Sequence, residues 1–308
     1  MINPKHIAEA AQSIDPVFAN SAQYKSEILS EILGLHLIHK IESYNPIGSF
    51  KGRGVDWWFN QNPDVSEIVC ASAGNFGQAV AYVGRKHKVA VTVFAAESAN
   101  RSKVEAMSRL GANVILAGAD FDAAKLAAEK YANTNGVFYL VDGLAAEIAE
   151  GAGSIMVELG RYPSQIDKFY VPVGNGSLIN GIATWAKAEM PHTEVIGVVA
   201  ENAPSMMLSW QEGEVINTDS ADTIADGIAV RLPIKEAVDI MSGVIDRVIA
   251  VSEEEITNAA NMLVEQENLI VEPSGCVSLA AIIKNHKHDR GLTVANLICG
   301  KNIKPKKS

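Results

Sequence analysis

Short apolar runs of strand-like composition recur through most of the chain with helical segments between them, and this rhythm limits the fold more than any other feature. The strand-like runs fall at 35–41, 68–71, 89–95, 114–116, 137–141, 169–173, 195–200, 246–251 and 293–299. Helical patterns occupy 77–86, 101–110, 121–133, 154–159, 178–190, 253–266 and 276–285. A short helix over 26–33, ended by Gly34, precedes the first run, and residues 3–13 carry weak helical periodicity that Asp15-Pro16 breaks. Parallel strands need crossovers that helices supply, so the alternation predicts an α/β architecture with mainly parallel sheets flanked by helices. So many strands would make an unusually wide single sheet, and two sheets are expected instead. A chain of 308 residues, 48% of them hydrophobic, can bury a core of that size in one large or two modest domains. It shows no repeat, low-complexity tract or long linker.

Composition removes several function classes. A formal net charge of −10 is the wrong sign for general nucleic-acid binding, which requires neutralised phosphates. No stretch approaches the roughly 18 apolar residues of a membrane span, and the N-terminus has no apolar signal core, so a cytoplasmic protein is expected. Cys70, Cys276 and Cys299 are too few and too scattered for a disulfide framework or a zinc cluster. The tail from Lys301, with Lys304, Lys306 and Lys307, reads as a frayed, solubilising end.

Three strand-to-helix junctions carry glycine. In Ala71-Ser72-Ala73-Gly74-Asn75-Phe76-Gly77-Gln78 the turn exposes backbone N–H groups beside a positive helix end, which suits a carboxylate, though an ordinary capping turn has the same look. In Val171-Pro172-Val173-Gly174-Asn175-Gly176-Ser177-Leu178 two glycines let the backbone curl round an anion, and Ser177 can donate a further bond. This loop lacks the dinucleotide fingerprint with its acidic residue about twenty positions on, so a small phosphorylated ligand is preferred. The third junction, Leu297-Ile298-Cys299-Gly300-Lys301-Asn302, sets a thiol at the end of the last strand, where it is either a plain core cysteine or a group facing a ligand.

A fourth stretch, Ser43-Tyr44-Asn45-Pro46-Ile47-Gly48-Ser49-Phe50-Lys51-Gly52-Arg53-Gly54, places one lysine behind an aromatic ring at the start of an apparent helix. Carbonyl chemistry needs a lysine amine in its neutral form, which a shielded pocket favours. Taken alone, Lys51 reads as a solvated lysine after a turn; the other three motifs change that.

Taken in chain order, Lys51 first, the four motifs resemble the pyridoxal-phosphate enzymes of fold type II, the tryptophan synthase β-like family, and most of all its serine/threonine dehydratases. Further support comes from Asp142-Gly143, from 150–154, from 222–230 and from Val271-Glu272-Pro273-Ser274-Gly275, so the resemblance runs from about Pro16 to Asn302. It implies a two-domain protein: 1–43 and 148–308 form a large cofactor-binding domain, and 44–147 a small domain carrying Lys51 and the 72–75 turn. It also implies the cofactor, pyridoxal 5'-phosphate. Lys51 would bond the cofactor and later move the Cα proton, Phe50 would lie against its ring, and Asn75 would bond its 3-oxygen. Gly174, Asn175, Gly176, Ser177 and Leu178 would hold the phosphate, and Cys299 would face the pyridine nitrogen. Ser72, Ala73, Gly74 and Asn75 would receive the substrate carboxylate.

A neutral thiol cannot hold the pyridine nitrogen protonated as an aspartate would, so the ring would be a moderate electron sink suited to prompt loss of a β-substituent. The implied reaction is β-elimination from L-threonine, L-serine or a related β-hydroxy amino acid, giving a 2-oxo acid and ammonia. A β-replacement synthase of the cysteine synthase or threonine synthase type is the alternative, favoured by Asn45 before Pro46. A non-catalytic binding protein on the same fold is the third reading. Several positions depart from the dehydratase pattern. Asn175 stands where glycine is usual and is expected to tolerate the loop. Phe76 replaces a histidine, and Ala152 a glutamine. Ala73 stands where racemases carry a serine, which argues against racemisation. Met207 falls where a cation site beginning at Glu201 would need a second carboxylate, so no metal is expected. A homodimer or higher homo-oligomer is expected, and no appended regulatory domain.

Overall fold

The computed structural model describes residues 1–303; Lys304, Lys306 and Lys307 of the basic tail lie outside the described residues. The strands are β1 (Gln23–Lys25), β2 (His36–Ile41), β3 (Glu67–Ala71), β4 (Ala90–Ala95), β5 (Asn113–Leu116), β6 (Phe138–Tyr139), β7 (Lys168–Pro172), β8 (Glu194–Ala200), β9 (Arg247–Val251) and β10 (Thr293–Ile298). They build two sheets, as the strand count predicts: β1-β2-β10-β7-β8-β9 and β5-β4-β3-β6. Every pairing is parallel except the edge pair β1–β2.

The helices are α1 (Pro4–Ser13), α2 (Glu27–Leu33), α3 (Lys51–Gln61), α4 (Asn75–His87), α5 (Arg101–Arg109), α6 (Phe121–Asn135), α7 (Ala146–Leu159), α8 (Ser177–Glu189), α9 (Ser205–Glu212), α10 (Lys235–Val244), α11 (Glu253–Glu267) and α12 (Pro273–Asn285). Among the described residues none is long and apolar enough to cross a membrane. Helix α7 starts at Ala146, eight residues before the segment expected from the sequence, and α9, α10 and β1 have no counterpart there.

Both faces of the larger sheet are covered, which is why its strands read as near-continuous apolar runs. Along β7 the side chains alternate: Phe169 and Val171 pack with Ile179 and Ile182 of α8, while Tyr170 packs with Leu279 and Ile282 of α12. In the smaller sheet Ile68 and Cys70 of β3 face Trp58, Phe59 and Val80, whereas Val69 faces Ala128 and Ala132 of α6.

Helix α3 is fixed by packing against α7 and α4. It crosses α7 so closely that a Cβ on Gly54 would lie 2.3 Å from the Ile148 carbonyl oxygen. Beneath it Arg53 is fully buried and bonds Glu42 through Nε (2.7 Å) and Nη2 (2.9 Å), Glu158 through Nη1 (2.7 Å) and Nη2 (2.9 Å), and the Ser154 hydroxyl (2.9 Å). Lys40 of β2 adds a second cation on Glu158 at 2.5 Å. Two buried carboxylates thus face two buried cations, and each charge has a hydrogen-bonded partner. Burial pushes the Glu158 carboxyl up, yet the Arg53 and Lys40 bonds outweigh it and leave its pKa at about 2.

Candidate active site

The loops leaving β3, β7 and β10 at their carboxyl ends gather round one cavity of about 310 Å³, the usual ligand position in parallel α/β sheets. Its walls include every site residue expected from the sequence: Phe50, Lys51, Ser72, Ala73, Gly74, Asn75, Gly174, Asn175, Gly176, Ser177, Leu178 and Cys299.

Lys51 is the first residue of α3, with Phe50 at the cap position. The approach to it is tied down on both sides. The Asn45 amide donates to the Glu42 and Ser49 carbonyls (2.9 Å each), and its oxygen accepts from Ile47 N at 3.2 Å. Asn45 is therefore occupied in shaping this turn. The Phe50 N–H donates to the Cys299 carbonyl at 3.0 Å, which stitches the start of α3 to the end of β10. Lys51 Nζ lies 4.7 Å from the Phe50 ring centroid, 5.9 Å from that of Phe76, and 2.6 Å from Asp142 Oδ2.

The 72–75 turn opens α4. Ser72 Oγ accepts from the N–H groups of Gly74 (3.1 Å) and Gly77 (2.8 Å), so its oxygen serves the turn itself. Asn75 is held at both ends: Nδ2 donates to Glu272 Oε1 at 2.6 Å, and Oδ1 accepts from Asn302 Nδ2 at 2.8 Å. One of its two amide N–H donors is spent on Glu272.

The 174–178 loop opens α8. Gly176 caps the helix at φ +93°, a conformation that favours glycine. Asn175, expected to need tolerance of positive φ, is not among the positive-φ residues; the strain falls on Gly176 instead. The Ser177 hydroxyl donates to Asp142 Oδ1 at 2.9 Å. At the end of β10 the Cys299 thiol is buried and donates to the Ser274 carbonyl at 3.5 Å, and burial pushes its pKa well up, so it stays neutral.

Four charged residues in the wall were given no role from the sequence. Asp142 joins Lys51 to Ser177. Elsewhere in the wall are Lys103, Asp226 and Glu272: Lys103 Nζ is 2.7 Å from Asp226 Oδ2 and 4.0 Å from Glu272 Oε2, which has no hydrogen-bond partner among the described residues. Burial pushes Glu272 up to about 7, with Lys103 pulling the other way. Asp142, Asp226 and Glu272 lie within stretches that carried the family resemblance, whereas Lys103 sits in an ordinary-looking amphipathic helix with no local signal. Glu201, the start of the doubtful cation site, contacts Lys284 at 3.5 Å, and no metal-binding cluster occurs among the described residues.

Known proteins resemble this chain in sequence and in fold. The profile of the family described as pyridoxal-phosphate dependent enzyme aligns with residues 14–300. The L-threonine ammonia-lyase of Thermotoga maritima is 34% identical over 98% of this chain and 76% of its own length. The enzyme of that name from Geobacter sulfurreducens is 34% identical over 90% of this chain and 70% of its own. Among solved structures, the processed form of threonine deaminase isoform 2 from Solanum lycopersicum superposes with a TM-score of 0.91 at 28% identity, covering 97% of this chain and 90% of that one.

Proposed function

The chain belongs to the pyridoxal-phosphate-dependent enzymes, and from that premise we propose that it is an ammonia-lyase acting on L-threonine, L-serine or a close β-hydroxy amino acid. The observation that carries the proposal is the meeting of the Lys51 amine, the 72–75 turn and the 174–178 loop on one cavity.

Those residues fit the cofactor. The loop at the start of α8 turns on the positive-φ Gly176 and offers backbone N–H groups at a helix N-terminus, a setting for a phosphate. In our assignment Gly174, Asn175, Gly176, Ser177 and Leu178 hold that phosphate, Phe50 lies against the ring, Asn75 bonds its 3-oxygen and Cys299 meets the pyridine nitrogen. When bound, pyridoxal 5'-phosphate supplies an electron sink conjugated to the substrate Cα.

The chain's own groups do the rest. Ser72, Ala73, Gly74 and Asn75 receive the substrate carboxylate at the start of α4, where backbone N–H groups and the helix end favour negative charge. Lys51 Nζ takes the Cα proton, and the rings of Phe50 and Phe76 beside it keep water from the amine. The buried, neutral Cys299 thiol supports the sink only moderately, which favours reactions that discharge Cα at once by losing the β-hydroxyl. A 2-oxo acid and ammonia result.

We further assign 44–147 to a small domain and 1–43 with 148–308 to a large one, with the cavity between them. The three buried, unpaired cysteines support a reducing, cytoplasmic setting, and we expect a homodimer. A panel of L-threonine, L-serine and other β-hydroxy amino acids, assayed for ammonia and 2-oxo acid, tests the activity. Equal yields of both support it. Consumption of substrate only with an added nucleophile would make the enzyme a β-replacement synthase, and a cofactor-loaded protein inert to the whole panel would be a binding protein.

A further inference from the structure

Asp142 occupies a position that the proposed chemistry leaves unused, between the amine of Lys51 and the hydroxyl of Ser177. Its carboxylate is largely buried, with 12% of the side chain exposed; one oxygen lies 2.6 Å from Lys51 Nζ and the other accepts from Ser177 Oγ at 2.9 Å. With both groups charged the contact is an ion pair. A phosphate carries about −1.5 to −2 charges at neutral pH, and one bound at Ser177 would face a shielded carboxylate at close range.

From this geometry, and resting on the assignment of Lys51 and the 174–178 loop above, we propose that Asp142 is the proton acceptor that frees Lys51 when the cofactor arrives. Lys51 Nζ gives one proton to Asp142 Oδ2: an N–H bond breaks, an O–H bond forms, and the pair passes from two opposite charges to none. The neutral amine would then be free to condense with the aldehyde of pyridoxal phosphate, its two remaining protons leaving with the aldehyde oxygen as water. Once protonated, Asp142 carries no charge, so the repulsion that would oppose phosphate binding is removed by the same transfer.

The titratable groups facing this pair do not compete for the proton. Cys70 on β3 is pushed up to about 12 by burial, with Asp142 adding to the shift, and Cys299 at the end of β10 is raised by burial. Lys103, Asp226 and Glu272 form their own cluster on the cavity wall.

The test uses full-length protein stripped of cofactor with hydroxylamine, to which pyridoxal 5'-phosphate is returned while the absorbance of the lysine-bound form is followed from pH 6 to 10. Asp142→Asn keeps the shape and can still accept from Ser177. The wild type should load at a rate nearly independent of pH near neutrality. The variant should load at least tenfold more slowly at pH 7, and its rate, unlike that of the wild type, should rise with pH. A second measurement needs no variant: infrared difference spectra of the wild type should gain a protonated-carboxyl band on loading. Matching pH profiles for wild type and variant, or no such band, would overturn the role of Asp142 and leave the cofactor assignment standing. Absence of any lysine-bound absorbance in the wild type would overturn both.

Discussion

Replacing Glu158 by glutamine removes one anion from a cluster in which two acids balance two buried cations, and the cost follows from the geometry. Arg53 loses a charged partner on both Nη atoms, and Lys40 loses its contact at 2.5 Å. Leaving buried charge uncompensated costs about 3–5 kcal/mol. The proton linkage gives a similar size. The Glu158 carboxyl lies at about 2 in the folded protein against an ordinary 4.5, a gap that corresponds to about 3 kcal/mol. Because the folded value is depressed, this stabilisation is complete above pH 4.5 and is lost as pH falls toward and through 2. Urea unfolding of wild type and Glu158→Gln at pH 7 should therefore differ by about 3–5 kcal/mol, and the difference should shrink steadily as the pH is lowered below 4.5. Since Arg53 lies two residues beyond Lys51 on α3, cofactor affinity should fall with stability. A loss below about 1 kcal/mol at pH 7, or a difference that does not change with pH, would refute the reasoning.

Two further substitutions probe the cavity. Cys299→Ser should keep elimination activity and the cofactor spectrum, since a hydroxyl can replace the thiol as a neutral hydrogen-bonding group; Cys299→Asp should shift the spectrum and slow turnover by holding the ring nitrogen protonated. A destabilised Cys299→Ser with the cofactor spectrum unchanged in both variants would make Cys299 a purely structural residue. Glu272, raised by burial to about 7 from an ordinary 4.5, weakens the fold when ionised. Glu272→Gln should raise stability at pH 8 by about 1–3 kcal/mol, an advantage that fades as pH falls toward 4.5; a melting-temperature series across that range measures it.

How far the sequence discloses this structure depends on how local each feature is. Strands β7, β8 and β10 are legible because burial on both faces makes them continuous apolar runs. The turns before α4 and α8 are legible because strand, glycine and helix follow one another within a few residues. Strand β1 is only Gln23–Lys25 and is held by its register with β2, which composition does not carry. The early start of α7 is masked by Gly151 and Gly153, which local propensity disfavours in a helix, and no side chain caps its N-terminus. Asp142 and Ser177 are 35 residues apart, and Lys103 and Asp226 are 123 apart. Such pairs exist only after the sheets have assembled, so the charged wall of the cavity could not be read in advance. Lys51 is an intermediate case, ordinary by itself and identifiable only with the other motifs in order.

The most direct measurement of the central claim is the site of cofactor attachment. Treating the loaded protein with borohydride makes a lysine–cofactor bond permanent, and mass spectrometry of the peptides then locates it. The added mass should fall on Lys51 alone, and Lys51→Ala should keep the fold, lose the lysine-bound absorbance and show no turnover. A label on another lysine, or wild-type turnover in Lys51→Ala, would contradict the account.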